Sequence, residues 1–463
     1  MHPSAPSWAP PRYSTDFPGW SLLCVTFRAH HTTSCLAGEG LPCLADFWNH
    51  IGHTSWCRQH PLHQEPDRVA FTIPATMFGD DARIYKQEKM TVYQFGFLLF
   101  VSSLSTFILT VLPNWIMIPA KTLPDIERCI TWMWQCAFAG RWPLTDHLGC
   151  DITSEHGERR FALRGEPLCK GEPRFRIAMA AFKADLAFEM QTFKFETYNQ
   201  NQMCRECHAH KTNPAMLYTQ LGPTAPWRQR VRTTASYVCD RAETLPAFVL
   251  IPGWCLEIHR YDLMHVVFLG LALHLVGSCI MDLAEHGFWR GPNLRSQLVR
   301  AWLDLRIWVR QHGQQCSQSR FTPGSLGRGQ KKSAYAEIKS KAHNCRVMVS
   351  WLADILYTAR DRYGVHSQRL AATCWALADF CWCLDNFKHW KLSEANAKRM
   401  YDGGHTFLQL YQELSRAALT SKKSLYGVRD GKPPFQNRTL PLLNPMTSHI
   451  ISSQLLALMT KNT

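Results

Sequence analysis

The chain has 463 residues, 46% of them hydrophobic, and carries 51 Lys and Arg against 36 Asp and Glu, a formal charge of +15. A chain of this size and composition buries a large core, which excludes a wholly disordered protein and a disulfide mini-protein. The positive excess favours polyanionic partners without identifying one. Because 18 cysteines accompany 21 histidines and no basic-then-apolar leader opens the chain, we expect a reducing compartment with free or metal-bound thiols.

Residues 1–65 are rich in Pro, Ser, His and Gly and follow neither the strand nor the helix period, so we predict an irregular segment. Beyond it, three apolar runs rich in β-branched and aromatic residues predict strands over 69–78, 91–101 and 106–118. A helix-period pattern over 123–137 then predicts a helix.

Residues 95–118 contain no charged side chain and are long enough to cross a bilayer. We prefer two paired core strands, because Ser102, Ser103 and Ser105 interrupt the stretch and no second span of similar strength accompanies it. A membrane-anchored protein remains the alternative on hydropathy.

The helix over 123–137 is closed by Gly140 and Pro143, and a strand over 175–182 and a short helix or turn over 183–195 follow. The chain is then rich in loops up to residue 260 and helical beyond it. The predicted helices are 262–286, 293–312, 334–360, 368–390 and 393–418, the last capped by Ser393. We therefore divide the chain into segments 1–65, 66–200, 201–260, 261–420 and an irregular tail, 421–463.

Two aspartates follow strand candidates. Asp80 comes after Gly79 at the end of the first apolar run, and Asp185 lies just past the fourth strand. A polar turn explains a lone Gly-Asp equally well. If strands one and four are neighbours, however, the two carboxylates converge on adjacent strand ends and suit Mg²⁺ or Mn²⁺. Asp81 is the fallback for the first position.

The loop-rich segment contains a C-x-x-C element, Cys204 and Cys207, which fits a zinc site, a redox pair or chance. His265 opens an apolar helix some 55 residues later, where a buried imidazole needs a partner. The two thiols and His265 would complete a tetrahedral zinc site with a fourth ligand, for which the candidates are Asp262, His208 and His210.

A basic stretch, residues 290–346, holds twelve Lys or Arg against two acidic residues. We expect it to supply sequence-independent affinity for the phosphates of duplex DNA, with Arg328, Lys331 and Lys332 in its Gly/Ser/Lys linker among the contacts. A solvated helix face explains the charge equally well.

The elements YDLMHVVFLG at 261–270, MCREC at 203–207 and GDD at 79–81 together resemble CACTA-type DDE transposases and proteins derived from them. The resemblance covers about residues 68–420, and the Asp-x-x-His-x-x-x-Leu-Gly element is its most specific part.

The resemblance implies an α/β fold with an RNase H-like mixed-sheet core, a loop-rich insertion that could bind zinc, and a large all-helical C-terminal part. It makes Asp80 and Asp185 catalytic metal ligands for Mg²⁺ or Mn²⁺ if the site is active. Cys204, Cys207, Asp262 and His265 become the insertion motif, which would hold a structural Zn²⁺.

The chain departs from this family because a third acidic metal ligand cannot be identified. The candidates are Asp354, Asp379 and Asp385, and nothing in the sequence distinguishes one of them. The expected function is therefore a transposase-derived nuclear protein, from a mobile element, that binds double-stranded DNA and keeps a degenerate DDE strand-transfer site. A catalytically dead scaffold with the same fold is the alternative. We infer no small-molecule substrate, do not expect a membrane partner, and leave an oligomer open.

Overall fold

The computed structural model describes residues 40–85, 88–99, 106–196, 200–222, 224–327, 335–362, 364–386 and 393–428. The protein is a mixed α/β chain with a five-stranded mixed sheet. Its described residues form two compact units. The first runs to Phe182 and includes Pro246–Ile258, and the second comprises Lys183–Leu245 and the residues from His259 onwards.

The sheet contains all four strands that the sequence predicts and a short fifth. The strands are β1 (Thr72–Tyr85), β2 (Glu88–Phe97), β3 (Thr106–Pro113), β4 (Arg176–Ala184) and β5 (His259–Tyr261). Their spatial order is β3-β2-β1-β4-β5, and the pairs β1–β2 and β2–β3 are antiparallel. Strands one and four are therefore neighbours, the condition on which the aspartate prediction depends.

Within the uncharged stretch 95–118, the end of β2 and all of β3 form two paired strands, and residues 100–105 lie outside the described part. Phe95 lies opposite Phe107, and their rings stack with centroids 4.9 Å apart. A different segment contradicts the expectation of no second apolar span: Met264–Glu285 is a helix long and apolar enough to cross a membrane, with mean hydropathy 2.0. Because 83% of that window is buried inside the protein, it has the character of a core helix.

In the first unit, helices cover part of the segment that the sequence predicts to be irregular. These are α1 (Gly40–Ile51) and α2 (Ser55–Arg58), so the prediction for 1–65 is wrong over this stretch, and residues 1–39 lie outside the described part. The reason is burial: Trp48 is 1% exposed, and its indole Nε1 donates to Thr72 O at 2.7 Å. Tertiary packing thus overrides the local composition.

Two further helices of this unit are α3 (Thr122–Ala139) and the short α4 (Glu158–Ala162). Gly140 ends α3 in the left-handed conformation (φ +71°), as the sequence predicts. A Cβ at this position would lie 2.5 Å from Phe175 O, so both the backbone angle and the space require glycine.

The second unit is built from helices. Short ones come first, α5 (Leu186–Phe193), α6 (Pro226–Gln229) and α7 (Thr234–Asp240), and a π-helical stretch, Met264–Ala272, then runs into α8. The long helices are α8 (Leu273–Glu285), α9 (Leu294–Gln311), α10 (Ala342–Ala359), α11 (Val365–Asp385) and α12 (Glu394–Thr420). Each long helix falls within or close to a helix that the sequence predicts, and Ser393 caps α12 by accepting from Asn396 N. Their buried faces share one apolar core.

The start of the predicted irregular tail packs against this helical core. Leu425, Tyr426 and Val428 are at most 1% exposed, although residues 421–428 contain neither helix nor strand. Residues 429–463 lie outside the described part. The described start of the tail is therefore an integral part of the second unit.

Candidate functional site

Asp80 lies within β1, whereas the sequence places it at a strand end. The strand continues to Tyr85 because β2 provides a cross-strand partner for each of the residues Gly79, Asp80 and Asp81. Asp80 faces Val92 and is half-buried, and Asp81 lies opposite Thr91, whose hydroxyl donates to its carboxylate at 2.7 Å. Successive strand residues point to opposite faces, so the two carboxylates have different surroundings.

Asp185 directly follows β4, as the sequence predicts, and it begins α5. Its Oδ1 accepts the backbone N–H of Phe188 at 2.7 Å, so Asp185 is the N-cap of the helix. Capping stabilises a helix by about 1 kcal/mol and accounts for an Asp here without any catalytic role. The cap occupies Oδ1, which leaves Oδ2 as the oxygen for a further ligand.

The C-x-x-C element forms a buried turn in which both thiols are covered, Cys204 at 1% and Cys207 at 0% exposed. Glu206 N donates to Cys204 Sγ at 3.4 Å, and Cys207 lies opposite Val231 in an antiparallel bridge. Burial, and then the hydrogen bond with Cys204, raises the pKa of the Cys207 thiol, while the Ala209 N–H opposes that rise. Amide hydrogens directed at sulfur favour a thiolate, the form that binds metal.

The two side chains of the Asp-x-x-His element hydrogen-bond to each other at the start of the π-helical stretch. His265 Nδ1 donates to Asp262 Oδ2 at 2.6 Å, and Met264 N donates to Asp262 Oδ1 at 2.8 Å. Burial alone would raise the pKa of Asp262, but these hydrogen bonds hold it below its usual value. The side chain of His265 is 38% exposed, unlike the covered thiols.

The other two candidates for the fourth zinc ligand have local partners. His208 Nδ1 accepts from Gln202 Nε2 at 3.0 Å. His210 Nδ1 accepts the backbone N–H groups of Thr212 and Asn213. In the part of the chain that the structure describes, no three Cys, His, Asp or Glu side chains form a group that could hold a metal ion. The predicted zinc ligands are thus present as a thiol pair and an Asp–His pair, not as one group of four.

A buried ionic network that the sequence analysis missed supports the C-x-x-C turn. Arg205, between the two cysteines, pairs with Glu189 of α5, and its Nη2 donates to His259 O at 3.2 Å. His259 Nδ1 donates to the second oxygen of Glu189 at 3.2 Å, and burial lowers the pKa of this imidazole well below its usual value. The guanidinium also lies 4.0 Å from the centroid of Tyr261. The sequence signal for this network is the Arg between the two cysteines.

A second polar cluster of the second unit centres on Asp282 of α8, which is 1% exposed. Its Oδ2 accepts from His366 Nε2 and from the Tyr426 hydroxyl, both at 2.7 Å. Lys423 Nζ and His286 Nδ1 approach Oδ1 at 3.5 and 3.3 Å. Burial alone would raise the pKa of Asp282, but the hydrogen bonds from His366 and Tyr426 hold it below its usual value.

This cluster lines a cavity of about 260 Å³ at the C-terminal ends of α8 and α12. Cations at helix C-termini are stabilising, which accounts for Lys423 and His286 there. The cluster therefore anchors residues 421–428 to α8, and its evident role is structural.

The three candidates for a third acidic ligand are all on helices, and each has a partner. Asp354 accepts from Trp308 Nε1 at 2.8 Å, Asp379 pairs with Arg399, and Asp385 pairs with Arg346. These contacts give each carboxylate a structural role, and none of the three is distinguished as a metal ligand.

The described part of the basic stretch contains α9. The side chains of its exposed arginines, Arg295, Arg300 and Arg310, have no hydrogen bond or ion pair with any described residue. Arg328, Lys331 and Lys332 lie outside the described residues, so their part in DNA binding stays a prediction. Three of the unpaired cationic side chains that the structure describes in this stretch are therefore on one helix.

Comparison with known proteins adds no assignment: no protein-family model matches the sequence, and no curated protein matches it.

Proposed function

We propose that this is a transposase-derived DNA-binding protein of the nucleus with a degenerate two-metal phosphodiester cleavage and strand-transfer site. The observation that carries the proposal is the strand order β3-β2-β1-β4-β5, with β1, β2 and β3 antiparallel. It makes β1, which contains Asp80, the neighbour of β4, which Asp185 follows. This is the arrangement expected of an RNase H-like core.

The two carboxylates fit part of the metal site that the resemblance implies. Carboxylate oxygens suit Mg²⁺ or Mn²⁺, and bound ions would activate a water and stabilise the leaving oxygen of a phosphodiester. None of Asp354, Asp379 and Asp385 is distinguished as a third acidic ligand, and this is the reason to call the site degenerate.

Mn²⁺ binding tests the site. We expect Asp80→Asn and Asp185→Asn each to weaken Mn²⁺ binding at least tenfold, measured by electron paramagnetic resonance titration, because each removes one anionic ligand. Asn also caps helices, so the second substitution preserves α5. Asp81→Asn is the matched control, since its carboxylate is already bonded to Thr91. Equal Mn²⁺ affinity in all four proteins would contradict the proposal.

Zinc binding tests the insertion. We propose that Cys204 and Cys207, with Asp262 and His265, hold a structural Zn²⁺, which would crosslink the insertion to the start of the π-helical stretch. The support is the geometry of the turn, in which both thiols lie together and the Glu206 N–H donates to Cys204 Sγ at 3.4 Å. Asp262 and His265, which pair with each other, would have to turn toward the metal.

Metal analysis of the purified protein should find about one zinc per chain. Cys204→Ser with Cys207→Ser should abolish it, and Cys239→Ser, at an exposed free cysteine, should not. A folded wild-type chain without zinc would leave the element as a structural turn.

A catalytically dead scaffold that retains the fold is the second candidate. It is favoured by the partners already found for Asp185, Asp354, Asp379 and Asp385, each of which has a structural use. The Mn²⁺ titration separates the two, because a scaffold predicts no effect of Asp80→Asn on metal binding.

A further inference from the structure

Two large apolar side chains are exposed one turn apart on α9. Leu303 is 48% exposed and Ile307 is 55% exposed. The opposite face of the same helix is buried and includes Leu298, Ala301 and Leu305, each 0% exposed. A single exposed Leu needs no explanation, but a pair at helical spacing forms a small apolar ridge.

Free arginines flank this ridge on both sides. By the 3.6-residue period, Leu303 and Ile307 lie near the middle of the exposed face, with Arg295 and Arg310 toward one side and Arg300 toward the other. None of these three side chains has a hydrogen bond or ion pair with a described residue. By contrast, Arg346, Arg369 and Arg399 on α10, α11 and α12 each pair with a carboxylate.

The pattern fits a helix that enters the major groove of DNA. At about 1.5 Å per residue, the 18 residues of α9 span about 27 Å, and a helix of about 10–12 Å diameter matches a groove about 12 Å wide. Arginines on the flanks reach phosphates on the two groove walls, while the central side chains face base edges. Apolar side chains there meet the thymine methyl group.

We infer that α9 is a major-groove reading helix, with Leu303 and Ile307 against thymine methyl groups and Arg295, Arg300 and Arg310 on phosphates. This inference rests on the DNA binding of the proposed function. It adds a preference for thymine to the sequence-independent contacts with phosphate. Free cationic charge around an apolar ridge favours duplex DNA over a neutral apolar partner.

The first experiment removes the methyl groups from the DNA. Fluorescence anisotropy compares a labelled thymine-rich 20-base-pair duplex with the same duplex carrying uracil for thymine. The full chain should bind the uracil duplex about fourfold more weakly for each methyl group contacted. The variant L303A/I307A should bind both duplexes equally. Equal binding of the two duplexes by the wild-type chain overturns the inference.

The second experiment removes the flanking charges. The variant R295A/R300A/R310A should reduce the slope of log K against log salt by about 2.7, since each phosphate contact contributes about 0.9. The control R346A/R369A/R399A removes the same charge from ion-paired positions and should leave the slope unchanged. An equal slope loss in both triple variants would indicate general charge and overturn the inference.

The two experiments also separate this inference from the proposed function. If the affinity for duplex DNA depends neither on the thymine methyl groups nor on the α9 arginines, the role of α9 is contradicted and the proposed DNA binding is not. A wild-type chain that binds no duplex at low salt removes both. Tighter binding to phosphatidylserine vesicles than to duplex at the same salt would identify an anionic surface as the partner and also overturn the inference.

Discussion

Replacing Asp282 with alanine is expected to lower the free energy of unfolding of the second unit by about 1–3 kcal/mol. The substitution leaves His366 Nε2 and the Tyr426 hydroxyl without the acceptor they share. It also removes one of the two carboxylates near Lys423, whose Nζ lies 3.2 Å from Glu285 as well. Because the Asp282 side chain is 1% exposed, its hydrogen bonds with these partners form largely out of contact with bulk solvent. Equilibrium urea unfolding, followed by tryptophan fluorescence, measures the loss.

The tail segment provides a second readout of the same change. Residues 421–428 are held to α8 through Tyr426, so trypsin should cleave after Lys422 and Lys423 faster in the Asp282→Ala chain. The matched control is Asp361→Asn, since that side chain is 72% exposed and its two contacts, with Arg360 at 3.6 Å and Gln368 at 3.3 Å, are at the surface. If the Asp282→Ala chain has the same free energy of unfolding and the same rate of tryptic cleavage as this control, the cluster does not anchor the tail.

The contribution of Asp282 should also depend on pH. Its folded pKa is lowered from the usual value of about 3.9, so the stabilisation is fully present above that value and is lost as pH falls through the lower, folded pKa. The stability difference between wild type and Asp282→Asn should therefore shrink as the pH falls below about 4. A difference that grew on acidification would contradict the ionised state assigned to this carboxylate.

The elements predicted correctly are those whose signal is local. The strands β2 and β3 follow from β-branched and aromatic runs, and the start of α12 follows from Ser393, because pairing surface and capping group both lie within a few residues. The Asp-x-x-His element is local in the same sense. Its side chains are three residues apart on one helical turn, and they do meet, although as partners of each other.

What could not be predicted depends on contacts distant in sequence. The strand β1 runs through Gly79 and two aspartates because β2 pairs with it, and no pattern inside a Gly-Asp-Asp turn signal shows that partner. The helix α1 forms in a Pro- and His-rich region because Trp48 is buried. Asp282 meets His366 and Tyr426 across 84 and 144 residues. A single sequence carries no signal for these pairings.

The same limit applies to the candidate sites. The sequence identified Cys204 and Cys207 by their spacing, and both prove buried and close enough to interact. It did not identify the Glu189, Arg205 and His259 network that positions the turn, because the three residues come from α5, the turn and β5. A charged residue between two buried cysteines needs a buried partner, and this requirement is the signal that could have found Glu189.

Replacing Glu189 with methionine is expected to cost the second unit about 3–5 kcal/mol. The carboxylate is 1% exposed and is the ion-pair partner of Arg205, which is 4% exposed, so its loss leaves the buried guanidinium with only the Glu206 carboxylate, 3.8 Å from Nε. His259 loses its acceptor at the same time. Urea unfolding should detect the change, while Lys398→Ala, in an exposed pair one helical turn from Asp402, should cost less than about 0.5 kcal/mol.

The double variant separates an ion pair from a packing effect. If the cost of Glu189→Met arises from the stranded guanidinium, then Arg205→Met in the same chain should recover part of the lost stability, since a well-packed apolar pair can replace a buried ion pair. Arg205 also holds the C-x-x-C turn, so Cys204 and Cys207 should react faster with a thiol reagent in the single variant than in wild type. A double variant less stable than either single variant, with thiols as protected as in wild type, would mean that packing around Tyr261, and not the buried ion pair, positions the turn.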